Sequence, residues 1–133
     1  MKTKPCLTLE DCTKIVAACE AEAKKNKWNV TVAILDDGGH LLLLHRMDGA
    51  SPVTSKIATL KGRSAAISRR STKVGEDRIA AGRLALLKMP VLPVQGGVPI
   101  MHQGECVGAV GVSGVQSHED ELVANAGIAA LGG

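Results

Sequence analysis

The chain has 133 residues, a formal net charge of +3, one Trp and neither Phe nor Tyr. That length reads as one domain, residues 1–133, able to bury roughly two thirds of the surface its unfolded form exposes without a disulfide or metal staple. Cysteines at 6, 12, 19 and 106 have neither zinc-site pairing nor the density of a secreted scaffold. The start lacks an apolar signal core, and no stretch reaches the roughly 18 to 20 uncharged apolar residues of a membrane span, so a reduced cytoplasmic chain is expected.

In chain order, Thr8 with Asp11 forms a capping box, and Leu9, Cys12, Ile15, Val16, Cys19 and Ala23 repeat at helical spacing, predicting a helix over 9–26. "VTVAILD" then changes to a β-branched run, followed by Asp-Gly-Gly and "HLLLLHRM", a β-hairpin. Its strands are apolar on both parities, which predicts cover on both faces, by helices on one and by a second subunit on the other. A homo-oligomer follows. From Ser51-Pro52 a second helix is expected with Val53, Ile57, Leu60, Ser64 and Ile67 buried, and with Lys56, Arg63 and Arg70 outward. Lys61 borders that stripe, either as a snorkelling surface lysine or as a group at a pocket edge.

"STKVGEDR" reads as a loop, "IAAGRLALL" as a short helix, and "MPVLPVQGGVPI" as a Pro- and Gly-punctuated stretch that lines something. "VPIMHQGECVGAVGVSG" is a second hairpin turning at Gln103-Gly104, and Ser117 with Asp120 caps a last helix over 118–131. The order αββαα(loop)ββα has hairpins where a doubly wound sheet has crossover helices. The fold class is α/β of the α+β type, with an antiparallel sheet built from two hairpins and flanked by helices.

Most of the cations lie in "SKIATLKGRSAAISRRSTKVGEDRIAAGRLALLK", opposed only by Glu76 and Asp77. Without aromatic residues for base stacking, this cationic side suits a carboxylated small molecule and not a nucleic acid. His45 shares a strand face with Leu41 and Leu43, so it is either a hydrogen-bonded core histidine or an inward ligand, while His40 abuts the turn. No HExxH or paired CxxC suggests a structural metal, and "HEDE" is explained by acids complementing a helix dipole. Gly108, Gly111 and Gly114 strip side chains from a strand, which calls for the close approach of a backbone, helix or flat ligand. Any catalysis would gather acid-base groups from separate segments, with Arg46, Asp48, Lys61, Asp120 and Glu121 the candidates by position.

"VAILDDGGHLLLLHRMDGASPVTSKIATLKGRSA", "QGGVPI" and "GECVGAVGVSGVQSHEDELVANAGIAAL" together resemble the GlcG/HbpS family, which includes the C-terminal domain of PduO. The resemblance implies a profilin-like fold, assembly as dimers or larger rings, and an association with haem binding or degradation. It also implies an enzymatic alternative, since some members act on hydroxylaminobenzoate as ammonia-releasing lyases. By motif, Arg46, Met47, Asp48 and Gly49 match the family's Arg-Met-Asp-Gly, Lys61 its helix lysine, Gly96 and Gly97 its double glycine, and Asp120 with Glu121 its acidic pair. These positions are expected to line or support a pocket, with Arg46 otherwise salt-bridged to an acid such as Asp120 and Asp48-Gly49 otherwise simply a turn. The leading expectation is a binding protein for haem or a related planar carboxylated molecule. Its ligand-binding set is His45, Arg46, Met47, Gly96, Gly97 and Gly111, with His45 a possible haem ligand. In the lyase alternative an anionic substrate docks on Arg46 or Lys61 while Asp48, Asp120 or His45 moves protons. A third possibility is an accessory protein with a vestigial pocket.

Overall fold

A computed structural model describes residues 1–132. Helix α1 (Leu9–Lys25) starts where Thr8 and Asp11 exchange hydrogen bonds, 2.9 Å from the Thr8 N–H to the Asp11 carboxylate and 3.1 Å from the Asp11 N–H to the Thr8 hydroxyl. Two orphan amides of the first turn are satisfied this way. Cys12, Ile15, Val16, Cys19 and Ala23 form its buried stripe, whereas Leu9, expected among them, is exposed.

Strands β1 (Thr31–Asp36) and β2 (Leu41–Arg46) form the first hairpin, and β3 (Gly97–His102) and β4 (Glu105–Ser113) the second. At the first turn the Asp36 carboxylate accepts from the Gly38 and His40 N–H groups, both at 2.9 Å. At the second, Gln103 and Gly104 both adopt positive φ, 51° and 79°, matching the right-handed twist of a two-residue hairpin. The central pairing of β1 with β4 gives one antiparallel sheet of order β2-β1-β4-β3. This is the α+β arrangement expected from the sequence.

Alternation along the central strands divides the core into two layers. Val32, Ile34, Val110 and Val112 pack with Cys12, Ile15, Val16 and Cys19 of α1 and with Val123 and Ala124 of α4 (Ser117–Ala129). Ala33, Leu35 and Ala109 face α2 (Val53–Ser68) on the other side, against Ala58, Ala65 and Ala66. The second contact is tight because Gly111 has no side chain: a Cβ there would lie 1.9 Å from the Ala58 carbonyl oxygen and 2.5 Å from the Gly62 nitrogen. The strand glycine admits a helix, as one of the expected explanations has it.

That close approach overturns the expected facing of α2. Its buried set is Thr54, Ala58, Lys61, Gly62, Ser64, Ala65 and Ala66, while Val53 is 56% exposed and Leu60 38%. Branched aliphatic side chains do not fit between backbones this close, so the small residues turn in and the large ones out. Two further corrections concern length and position. "STKVGEDR" is not a loop but most of α3 (Thr72–Ala80), capped by the Ser71 hydroxyl, and the expected short helix shrinks to a 3-10 turn at Leu84–Lys88. Helix α3 buries only Thr72, so it has no apolar repeat to read.

Candidate functional site

The residues matched by motif fall into two groups. Around Lys61 the fold gathers Asp120, Gly96, Gly97, Gly111 and, one position further along α4, Glu121. Lys61 and Asp120 are each 2% exposed, and the Lys61 ammonium donates to the Asp120 carboxylate at 2.9 Å and to the Val112 carbonyl at 3.0 Å. The other Asp120 oxygen accepts from the Val115 N–H at 3.1 Å. Lys61 belongs to the helix on one face of the sheet and Asp120 to the helix on the other. The pair therefore joins the two layers past the end of β3.

Gly96 makes room for this link: at φ 131°, a Cβ on it would stand 2.7 Å from the Lys61 nitrogen. Gly97 likewise lies under the Lys61 carbonyl oxygen, 2.2 Å from where its Cβ would be, and its N–H donates to Thr72 Oγ1 at 2.9 Å. Burial is the largest influence on Asp120 and raises its pKa above the ordinary carboxylate value, against the opposing pull of Lys61 and the Val115 amide. Capping of α4 falls to Glu119, which accepts from the Gln116 N–H at 3.1 Å, and not to the expected Ser117–Asp120 pair. Glu121 accepts from Gln95 and from Ser71, the latter at 3.4 Å.

The second group lies apart. Arg46 is exposed opposite Thr31, and its expected salt bridge to Asp120 is not formed, because Lys61 holds that carboxylate. Met47 packs against the main core, while exposed Asp48 and Gly49 occupy a turn closed by the Ala50 N–H bonding to the Met47 carbonyl at 3.1 Å. His45 does not point inward: its side chain is 47% exposed and its Nδ1 lies 2.6 Å from Glu20 of α1. As the last turn of an edge strand, this segment has no neighbour on one side to cover it.

None of these residues lines either of two cavities that the packing leaves between elements. One, of about 210 Å³, lies between the N-terminal segment, the β3–β4 hairpin and α4, and includes Cys6, Met101 and His102 among aliphatic walls, with Asp11 as its acid. The other, of about 260 Å³, lies between the C-terminal half of α2, α3 and the segment from Arg83 to Pro93. Leu86, Met89, Val91, Leu92 and Pro93 supply apolar walls, Ser64, Ser71 and Thr72 hydroxyls, and Arg70, Arg78 and Arg83 positive charge. Ser64 also pins the wall, its hydroxyl accepting from the Leu92 N–H at 2.7 Å. The sequence marks this region as cationic and the "MPVLPVQGGVPI" stretch as lining something, and Met89, Val91, Leu92 and Pro93 of that stretch do line this cavity. Of the acids of α3, Asp77 is taken by Lys73 at a spacing of four that the sequence does show, and Glu76 accepts from the Gln95 N–H, a contact it does not.

One open four-stranded antiparallel sheet with helices on both faces defines a small α+β domain. Within that class the chain belongs to the HbpS-like family, described as haem degrading protein HbpS-like, whose family model matches residues 7–129. It is 46% identical to Protein GlcG of Escherichia coli strain K12 over 114 residues, 85% of each chain. Among solved structures, a double mutant of HbpS from Streptomyces reticuli superposes with a TM-score of 0.90 at 32% identity, covering 100% of this chain and 92% of that one. A PduOC:heme complex superposes with a TM-score of 0.85 at 26% identity over 95% of each chain. No described helix is long and apolar enough to cross a membrane.

Proposed function

We propose that this protein binds haem or a related planar carboxylated molecule at the cavity between α2, α3 and the Arg83–Pro93 segment. The observation that carries this reading is the convergence of Arg70, Arg78 and Arg83 on one apolar-walled cavity. Apolar walls suit a flat ring system, and guanidinium groups suit carboxylates through paired hydrogen bonds. The likeness to a haem complex supports the ligand class. At about 260 Å³ the cavity is smaller than the roughly 300–1,000 Å³ that enclose drug-sized ligands, so a tetrapyrrole inserts an edge and leaves the rest outside.

Binding is favoured over the lyase alternative by the lining itself. It contains hydroxyls and guanidiniums but no carboxylate, imidazole or amine suited to moving a proton near neutral pH. Lys61 and Asp120, which have such groups, are buried in the link between layers. Titration of the purified protein with hemin tests the proposal: a saturable, stoichiometric, sharpened Soret band is expected, and a diffuse nonstoichiometric spectrum counts against it. Ammonia release from 4-hydroxylaminobenzoate would favour the lyase instead.

The same proposal includes a cytoplasmic homo-oligomer. It draws on the free cysteines and on the aliphatic groups left outside at Leu41, Leu42, Val53 and Leu60. Light scattering at micromolar concentration reads its mass, and a monomer would remove this part.

A further inference from the structure

Haem can be recognised through its iron or through its carboxylates, and in this protein the cavity lined by an imidazole and a thiol is not the one lined by arginines. The imidazole and thiol suited to iron, His102 and Cys6, line the smaller cavity, where the charged lining group is Asp11. The arginine cavity has neither imidazole nor thiol, and its one sulfur is the Met89 thioether. Among the described residues, no arginine of the chain forms an ion pair: the carboxylates that do so are held by lysines or by His45. Exposed arginines without partners are ordinary on a surface. Three that border one apolar cavity leave positive charge beside a wall that no acid among the described residues pairs with.

We infer, resting on the proposed function, that the α2–α3 cavity selects its ligand by a carboxylate-bearing edge and not by iron, with Arg70, Arg78 and Arg83 as the specificity-determining residues. The ligand class is therefore a planar ring system with carboxylates on one edge, metallated or not. Charge-assisted bidentate hydrogen bonds supply both affinity and orientation, and the neutral ester of the same ring system offers the guanidiniums no charged acceptor.

The experiment compares hemin, iron-free protoporphyrin IX and protoporphyrin IX dimethyl ester, by absorbance and fluorescence titration of the full chain. Alongside the unaltered protein stand the variant Arg70→Gln/Arg78→Gln/Arg83→Gln and the variant Cys6→Ser/His102→Ala. Iron-free protoporphyrin is expected to bind within about threefold of hemin, and the diester about tenfold or more weakly, the factor that loss of one charge-assisted hydrogen bond implies. The arginine variant should weaken hemin and protoporphyrin by the same factor, whereas the Cys6/His102 variant should leave both unchanged. All three arginines are exposed, so circular dichroism should show the arginine variant folded and melting as the unaltered chain does.

Binding of hemin without binding of protoporphyrin would assign recognition to iron and overturn this inference alone, whereas loss of hemin binding on changing Cys6 and His102 would move the ligand to the other cavity and overturn the site of the proposed function with it. Equal binding of the diester would overturn this inference alone by assigning recognition to apolar contact. If neither hemin nor protoporphyrin binds, the proposed function falls together with the inference.

Discussion

Lys61 and the arginines of the α2–α3 cavity are cations of one stretch of sequence with opposite electrostatic circumstances. Lys61 is out of water and donates to a carboxylate on one side and a carbonyl on the other. Arg70, Arg78 and Arg83 remain in water and form no ion pair among the described residues. A buried charge must have its partner inside the protein, because desolvating it alone costs several kcal/mol. An exposed charge is solvated whether or not a ligand arrives. Lys61 is thus built into folding stability, while the arginines are free to contribute to binding.

The largest expected effect follows from breaking the buried pair. Lys61→Met leaves Asp120 buried opposite an apolar chain and should cost about 3–5 kcal/mol of unfolding free energy, read by urea denaturation. Adding Asp120→Asn removes the stranded charge while keeping an oxygen for the Val115 N–H, and should recover much of the loss. If the double variant is no more stable than the single one, the pair is not what couples the layers. Next in size is Ser64→Ala, which strips the Leu92 N–H of its acceptor at the cavity wall. A loss of about 1–3 kcal/mol is expected, with weaker hemin binding in the still-folded protein.

These two regions differ in how plainly the sequence announces them. Thr8 with Asp11, Asp36 with Gly38 and His40, and Gln103-Gly104 act through hydrogen bonds or backbone angles spanning four residues or fewer, so the caps and turns are legible. The strand glycines also signal close approach, but do not identify the partner, and so the facing of α2 is misread: what decides it is Gly111 in a strand about fifty residues away. Helix α3 lacks an apolar stripe and is tied down through Thr72 to Gly97, a contact between distant segments. Asp120 resembles an ordinary acid of a helix's first turn, yet its immediate neighbour Glu119 does that work and leaves Asp120 facing inward. Helical spacing puts Lys61 only at the border of the apolar stripe, and it is the family motif that singles it out. The cavity arginines come from the end of α2, from α3 and from the segment beyond it, and no spacing rule brings such positions together.

A smaller effect, in pH, sharpens the contrast further. With its folded pKa raised by burial, Asp120 keeps a proton over a range where the unfolded chain has already released it. The native state then binds more protons than the unfolded state, so this group's contribution to stability falls as pH rises from the ordinary carboxylate value of 3.8 through the raised one, and is level above it. Asp11 and Asp37 shift downward, the first chiefly through the Thr8 N–H and the second through Lys4, and have the opposite slope at lower pH. Subtracting the Asp120→Asn variant isolates the effect: the stability advantage of the unaltered chain over the variant should shrink as pH rises through that window. A constant difference would mean that Lys61 keeps Asp120 ionised throughout.

The smallest effect on folding belongs to the arginines. Arg70→Gln, Arg78→Gln and Arg83→Gln each remove a solvated charge that forms no ion pair among the described residues, and each should change unfolding free energy by less than about 0.5 kcal/mol. Removing one cation from a strongly basic stretch also relieves some self-repulsion, so the sign of any change should be slightly stabilising at low salt and should vanish at high salt. Hemin affinity should fall in the same variants, with the loss reduced at high salt, where the unaltered protein's charge is itself screened. A rim arginine whose removal destabilised the fold by more than 1 kcal/mol would have to be packing its stem against the cavity wall, and would then belong with Lys61 on the structural side of the comparison.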